Sequence, residues 1–367
     1  MNQLNVGIIG CGNISSIYLD NLHDVFDNIC LVGCADLNEE AAKSQAEKYN
    51  IEHIHLDNMY TREDIDIILN LTNPKAHYHV AKRALENGKH TYAEKPLTIT
   101  LEEGQELIDL ANSKGLKIGC APDTFLGAGI QTCRKLIDDG WIGEPIAATA
   151  NMMCHGHESW HPNPDFYYQL GGGPLFDMGP YYLTALVTLL GPVSKVYGSA
   201  KKSFETRKIT SKEQYGKMIS VNVDTHISAL LNFKNNVTCQ LNQSFDVWKH
   251  DLPCIEIYGT KGSLSVPDPN CFGGTIRYSH KGTDWTDIPY THGFEENSRG
   301  LGVADLAQSI IDKRSARASI DLAYHVLDIM HGIINSSKKQ QVLELKTTCH
   351  RPSPLPCGID QHHLHYL

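Results

Sequence analysis

Through about the first 120 residues, short apolar runs alternate with amphipathic stretches, a pattern that predicts repeated βα units feeding a parallel sheet. Strands are expected at 5–9, 29–35, 65–72, 91–93 and 117–121. These runs are rich in Val, Ile and Leu with little polar alternation, as strands covered on both faces should be. Between them lie three helical patterns. The first, 38–49, opens with Asn38 as cap and carries Glu39 and Glu40 where acidic groups offset the helix dipole. The second, 74–87, starts with Pro74 and stops at Gly88, and the third, 101–113, runs to Gly115. After residue 122 the pattern changes. A helix at 130–138 leads to Gly140, and longer alternating strands follow at 146–153, 219–233, 236–245 and 254–258, with a hairpin turn at 233–237 where Asn tolerates positive φ. Helices at 302–313 and 320–336 follow. The expected architecture is α/β: a doubly wound parallel sheet in an N-terminal domain (1–122), then a C-terminal α/β domain (123–367) with a mostly antiparallel sheet.

Composition narrows the function classes. The chain has 367 residues, enough for two domains at roughly 150 each, and its 41% hydrophobic and 20% charged residues are ordinary for a folded protein. A net charge of −10 with no Lys/Arg-rich block argues against nucleic-acid or anionic-membrane partners. No apolar run approaches the ~18 residues of a membrane span. The N-terminal residues enter a strand at once, without a basic leader region, so a cytoplasmic location is expected. Eleven cysteines with no CxxC pair fit buried thiols rather than a disulfide framework. Two histidine-rich stretches resemble metal ligand sets: His155, His157, Glu158 and His161, and the tail residues Cys349, His350, Cys357, His362, His363 and His365. The first is read as a substrate loop and the second as a surface tail, so no metal is expected.

The chemistry begins at 6–15. Gly10 and Gly12 make a G-x-G turn directly after a strand and before a helix, with Ser15 at the third small position. Such glycines can simply close a βα turn. They can also let a pyrophosphate approach the N–H groups of a helix start, here around Asn13 and Ile14. Asp36 at the end of the next strand favours the second reading: a carboxylate there takes the ribose hydroxyls and repels a 2′-phosphate, pointing to NAD rather than NADP. No Arg or Lys follows Asp36 until Lys43. Thr72 and Asn73 follow the fourth strand run, where ligands sit on doubly wound sheets, and His77 is either a further cofactor contact or a helix-surface residue. Glu94, Lys95 and Pro96 close the next strand, where Glu94 and Lys95 are further candidate cofactor contacts. A lysine there can orient a substrate hydroxyl beside the nicotinamide and, if its pKa is depressed by desolvation, can also shuttle the proton. Pro96 restricts Lys95 to extended backbone and admits a cis peptide.

Taken together, the GIIGCGNI turn, Asp36, the TNPKAH segment, the NGKHTYAEKPL run at 87–97 and the GGGPLFDMGPY run at 171–181 resemble the Gfo/Idh/MocA family of NAD(P)-dependent sugar and polyol oxidoreductases. The resemblance spans the chain and implies a Rossmann domain followed by an α/β domain with a large open sheet. It implies that Asp177 fixes substrate. The residue four later, usually a histidine acid/base, is Tyr181 here, as in the glucose–fructose and dihydrodiol oxidoreductases. A spacing of four on one helix running to Leu190 would put Asp177 and Tyr181 on one face. Lys95 and the nicotinamide charge would favour a Tyr181 phenolate as proton acceptor. The alternative is that Tyr181 only hydrogen-bonds substrate while Lys95 or a loop histidine takes the proton. Thr184 stands where the family often has a second Asp, and Asp123 lies in a stretch where the family often has Asn and Arg.

The loop at 154–168 supplies further substrate contacts: His155, His157 and His161 for hydroxyls, Trp160 and Tyr168 for a sugar face or aglycone, with simple aromatic packing as the competing reading. Thr291, His292 and Arg299 are candidates to reach the site from further along the chain. The expected reaction moves a hydride from a secondary hydroxyl of a sugar, polyol or glycoside, C3 of a glucoside being one concrete case, to NAD. A rival keeps NAD tightly bound and recycles it in place during glycoside processing, with no net redox. A third reading, an NAD-sensing regulator, has no need for Lys95. The expected partners are a small carbohydrate or glycoside and, through an exposed apolar face of the open sheet, further copies of the chain as a dimer or tetramer.

Overall fold

The computed structural model describes residues 3–359. Among these, β1 (Leu4–Ile9), β2 (Ile29–Ala35), β3 (Glu52–His53), β4 (Ile67–Asn70), β5 (His90–Ala93) and β6 (Ile118–Cys120) form one parallel sheet in the order β3-β2-β1-β4-β5-β6. That is the doubly wound order, with its switch point between β1 and β4. Val6, Ile8, Ile67 and Leu69 bury into the core on one face, whereas Ile9, Ile68 and Ala35 bury into a separate cluster on the other. Burial on both faces is why these strands show no polar alternation. The helices α1 (Ser15–Asp24), α2 (Glu39–Tyr49), α3 (Leu56–Thr61), α4 (Pro74–Glu86) and α5 (Leu101–Lys114) connect them. Asn38 caps α2 by accepting from the Ala41 N–H, and Thr100 with Glu103 forms a capping box on α5. The two-residue β3 and the short α3 left no periodic signal to read.

The second half starts with α6 (Ala128–Asp138) and β7 (Pro145–Met153). Then come α7 (Gly173–Asp177), α8 (Gly179–Leu190), β8 (Val193–Lys201), β9 (Thr206–Lys208), β10 (Met218–Ser220), β11 (His226–Phe233), β12 (Thr238–Ser244), β13 (Ile255–Gly259), β14 (Gly262–Val266), β15 (Ile276–His280) and β16 (Thr286–Ile288). α9 (Leu301–Ile311), α10 (Ile320–Lys339) and β17 (Leu343–Glu344) complete the described elements. Among the described residues, nine strands build a sheet in the order β16-β15-β14-β13-β7-β12-β11-β8-β17, antiparallel except at β7–β12. Asn236 takes φ 66° in the β11–β12 hairpin, as expected. α10 packs across β8, where a Cβ at Gly198 would lie 2.3 Å from the Ile333 carbonyl oxygen. Ser336 and Ser337 on α10 accept from the Gly198 and Ala200 N–H groups (3.0 and 2.8 Å), which satisfies the edge of β8 beyond β17.

Three expectations change. The strand expected at 219–233 breaks into β10 and β11, because the N–H groups of Val221, Asn222 and Thr225 bond to Glu205, Tyr168 and Lys201 carbonyls and leave the ladder. The single helix expected after the glycines breaks at Met178, so Asp177 ends α7 while Tyr181 belongs to α8. The open sheet face is polar rather than apolar. Ser228, Asn242 and Asn151 form a hydrogen-bonded row across it, and Tyr258 contacts Thr149, with Tyr197 and Leu230 as large apolar exposures. All eleven cysteines are unpaired thiols, and no described helix is long and apolar enough to cross a membrane.

Candidate active site

Two clefts meet at the carboxyl ends of the parallel strands. The first, of about 250 Å³, is lined by Gly10, Gly12, Asp36, Leu37, Thr72 and Asn73, among others. Gly10 has φ +108°, and a Cβ there would lie 2.6 Å from the Leu71 carbonyl carbon, so only glycine fits. A Cβ at Gly12 would meet nothing within 4 Å, which leaves the turn open to a ligand. Ser15 is buried, and its N–H and hydroxyl both donate to the Gly12 carbonyl (3.1 and 2.7 Å), starting α1. Asn13 and Ile14 stand exposed on that turn. Asp36 is held by its neighbours: Oδ2 accepts from the Cys11 N–H (2.7 Å) and Oδ1 from the Asn38 N–H (2.8 Å). The following Leu37 is 90% exposed. Lys43 pairs with Glu39 and Glu40 instead of Asp36. An open glycine turn at a helix start, a carboxylate facing the cleft and an exposed apolar side chain beside it fit the pyrophosphate, ribose and adenine of NAD.

The second cleft, of about 450 Å³, shares Thr72 with the first and brings together Ile14, Glu94, Lys95, His157, Trp160, Asp177, Tyr181 and Arg299. Lys95 is positioned from its own strand end. Glu94 accepts the Lys95 N–H (2.9 Å) on Oε2 and the Tyr18 hydroxyl (2.8 Å) on Oε1, and the Lys95–Pro96 peptide is cis. The Lys95 ammonium donates to the Asp177 carbonyl (2.7 Å) and to Asp177 Oδ1 (2.9 Å). The break after α7 frees that carbonyl, so the helix interruption itself provides part of the lysine's seat. The ammonium also lies 5.1 Å from the Tyr181 ring centroid. With two of its three hydrogens on Asp177, one remains for a ligand.

Charge states follow from these neighbours. Burial alone would depress the Lys95 ammonium, but Asp177, Tyr181 and Glu94 outweigh it and hold its pKa above the ordinary value. The desolvation-lowered lysine that would shuttle protons is therefore not present. Burial also raises the Tyr181 phenol, against the opposing pull of Lys95 and Arg299. Desolvation thus outweighs both neighbouring cations and favours the neutral phenol over the expected phenolate. His157 moves the other way: burial lowers its pKa and keeps the ring neutral.

Several expected contacts lie elsewhere. His77 is 1% exposed, and its ring nitrogens lie 2.7 Å from the Pro96 carbonyl and 3.0 Å from the Thr72 carbonyl. It ties the two site turns together and does not face the cofactor cleft. Tyr168 is fully buried and donates to Glu158 Oε2 (2.5 Å), whereas its unpredicted neighbours Phe166 and Tyr167 line the cleft. In the tight turn over Asp165–Tyr168 a shift of one residue reverses which ring faces in. His155 stacks on Trp248, with ring centroids 3.3 Å apart, in a separate cavity behind the loop. His161 packs against Trp160, Phe166 and Tyr167. Trp160, 62% exposed, stands at the rim.

Arg299 does reach the site, and Asn270, which the sequence reading missed, accepts from it (3.0 Å). Asp123 pins this segment by accepting the Gly300 and Gly302 N–H groups (2.9 and 3.0 Å), while burial pushes its own pKa up to about 6. His292 bonds the Leu355 carbonyl, away from the cleft. Among the described residues no cluster of three or more His, Cys, Asp or Glu could hold a metal ion, and His362, His363 and His365 lie outside the described residues.

The loop at 154–168 is braced from behind by Arg207, which pairs with Glu158 and with Asp246 (3.1 Å) and donates to the His155 and Phe245 carbonyls. Arg207→Met would leave two buried carboxylates uncompensated, an expected loss of about 3–5 kcal/mol measured by urea unfolding. Burial would raise Glu158, but Arg207 and Tyr168 outweigh it and hold its pKa below the ordinary value. A lowered folded pKa gives stabilisation that is complete above the unfolded pKa of ~4.3 and fades as pH falls through the lower folded value. The stability difference between wild type and Glu158→Gln should therefore be constant at neutral pH and shrink below about pH 4.

Comparison with known proteins agrees with this layout. A family model described as "Oxidoreductase family, NAD-binding Rossmann fold" matches residues 4–121, and one described as "GFO/IDH/MocA C-terminal domain" matches 130–265. The chain is similar to the D-xylose dehydrogenase of Paenarthrobacter nicotinovorans, 24% identical over 272 residues that cover 71% of this chain and 69% of that protein. It is also similar to the myo-inositol 2-dehydrogenase of Thermotoga maritima, 22% identical over 264 residues, 71% of this chain and 74% of that protein. Among solved structures, a levoglucosan dehydrogenase in complex with NADH shares the fold with a TM-score of 0.80 at 20% identity, covering 94% of this chain and 100% of the other.

Proposed function

Because the chain belongs to the GFO/IDH/MocA oxidoreductase family and carries its NAD-binding Rossmann domain, we propose that it oxidises a secondary hydroxyl of a sugar, polyol or glycoside, with C3 of a glucoside as the specific case. The observation that carries this reading is Lys95, anchored by two hydrogens on Asp177 in a cleft that shares Thr72 with the dinucleotide cleft. Gly10, Gly12, Asn13, Ile14, Asp36, Thr72 and Asn73 would hold NAD, which when bound supplies the hydride acceptor. The remaining Lys95 hydrogen is directed to the carbinol oxygen and fixes which C–H faces the cofactor. Asp177 keeps Oδ2 for a neighbouring hydroxyl, and Tyr181 donates a hydrogen bond as a neutral phenol. Trp160 offers its exposed face to the ring of a pyranoside. Trp160→Ala is expected to raise KM about 3–10-fold with kcat nearly unchanged, the mark of lost uniform binding.

The reading includes self-association across the open sheet face, through its polar row at Ser228, Asn242 and Asn151 and the exposed Tyr197 and Leu230, and a cytoplasmic setting that keeps the thiols reduced. Sedimentation velocity tests the first.

The direct test follows absorbance at 340 nm with NAD+ or NADP+ over D-xylose, myo-inositol, levoglucosan and O- and C-glucosides. NADH formed from NAD+ with one substrate class is the expected result. Bound nicotinamide released on denaturation, with glycoside cleaved and no free NADH, would instead establish the closed redox cycle. No reaction with any substrate and no bound nicotinamide would overturn both.

A further inference from the structure

The geometry points to His157 Nε2 as the acceptor of the hydroxyl proton, an assignment that rests on the dehydrogenase reading. Seven ionisable side chains line the cleft: Glu94, Lys95, His157, Tyr167, Asp177, Tyr181 and Arg299. Glu94 accepts from the Tyr18 hydroxyl and the Lys95 N–H, burial raises the Tyr167 phenol, and the Arg299 guanidinium keeps its proton. Lys95 and Tyr181 both hold their protons, for the reasons given above. Asp177 has its carbonyl and its Oδ1 taken by the lysine. His157 is 8% exposed and rigidly clamped, stacked on Tyr167 at 4.0 Å and edge-on to Phe245 at 4.6 Å. Its Nδ1 is sealed in without a hydrogen-bond partner among the described residues. Nε2 therefore remains as the nitrogen that a substrate can reach. It lies 3.7 Å from Asp177 Oδ2, too far for a direct hydrogen bond and close enough for the carboxylate to stabilise an imidazolium.

In the step, the carbinol O–H bond breaks and its proton goes to Nε2, while NAD+, when bound, would take the hydride released from the C–H bond. The products are a ketone, NADH and an imidazolium beside Asp177. Lys95 stays protonated throughout and stabilises the developing alkoxide. His157 thus acts from the loop, beside Oδ2 of the carboxylate whose Oδ1 holds the lysine.

The charges around His157 come from every side. Asp177 on α7 and Glu158 on its own loop favour the imidazolium, while Lys95 after β5 and His161 on the loop oppose it. Burial is the largest influence and disfavours the charged ring, so the ring is neutral at pH 7 and ready to accept. The free-enzyme profile of kcat/KM should then rise with pH through an inflection below 6.5 and stay flat through neutrality.

The test measures kcat/KM between pH 4.5 and 8.5 for wild type, His157→Gln, His157→Ala and Tyr181→Phe. The probes are methyl β-D-glucopyranoside, D-xylose and myo-inositol at saturating NAD+. NMR of the ring carbons in the protein saturated with NAD+ and free of sugar gives the His157 pKa independently. The expected result is a fall of about 10²–10⁴-fold in both His157 variants. The acidic inflection should disappear in them, persist in Tyr181→Phe, and match the NMR value. Added imidazole should restore His157→Ala at least tenfold, which a merely structural role would not allow. Quenching of tryptophan fluorescence by NAD+ checks that the variants stay folded. His157 variants within tenfold of wild type, or an inflection that survives in them, overturn the assignment and leave the dehydrogenase reading standing. Failure of wild type to oxidise any probe brings down both.

Discussion

Replacing Lys95 with alanine is expected to lower kcat/KM for sugar oxidation by about 10³-fold, with NAD binding changed less than about threefold. The effect is large because the ammonium acts where negative charge develops. It is already oriented before substrate arrives, through the Asp177 carbonyl and Oδ1. Lys95→Arg should recover only a small part, since a planar fork cannot occupy a seat built for one nitrogen between a carbonyl and a carboxylate. Stopped-flow absorbance at 340 nm gives the rate, and fluorescence titration gives NAD affinity. A loss below tenfold would remove Lys95 from the centre of the reaction. The ion pair also makes a pH statement. A folded pKa raised above the unfolded value of ~10.4 gives stabilisation that is complete below that pH and is lost only as pH climbs through the higher folded value. The Lys95–Asp177 pair should therefore contribute nothing to pH dependence between 6 and 9, and an inflection there belongs to another group.

The second large effect is at Asp36. Its carboxylate faces the dinucleotide cleft while two backbone N–H groups, of Cys11 and Asn38, hold it in place. Asp36→Ala removes charge-assisted hydrogen bonds worth ~1.5–3 kcal/mol, so the NAD Kd should rise about 10–150-fold. The same change removes the brace on the Cys11 N–H, which makes the upper end of that range the expected one. Asp36→Ser combined with Leu37→Arg replaces the repelling carboxylate with a cation at an exposed position, and should shift the NADP-to-NAD preference by at least about 100-fold. Isothermal titration with both cofactors reads the two variants. An unchanged NAD Kd in Asp36→Ala would mean that the ribose is held elsewhere.

The cofactor half of the site was legible because its signals are local. Gly10 is a glycine on account of a backbone atom 2.6 Å from where its Cβ would be, and Asp36 follows its strand by one residue. Both are consequences of a strand turning into a helix, and both appear in the residue order. The order also carried Lys95, just past the end of a strand, whereas Asp177 came only through the family resemblance, its helix end being unexpected. The substrate half was partly legible. The loop at 154–168 was visibly rich in histidine and aromatics, but Tyr168 turned inward to Glu158 while Tyr167 faced the cleft. His155 and His157, two residues apart, entered different cavities.

By itself the sequence determined the α/β class, the parallel arrangement of the first sheet, the glycine turn and the acidic residue that follows the second strand. These depend on burial of both strand faces and on backbone sterics, which a short stretch of chain already encodes. Only the tertiary structure decided the protonation of Lys95, Tyr181 and His157, since each depends on desolvation by segments distant in the chain. It also decided that Arg299 enters the cleft that Tyr181 lines and that a helix break frees the carbonyl seating Lys95. Charge states in a cleft are set by what surrounds a group in three dimensions, and no spacing along the chain specifies that environment.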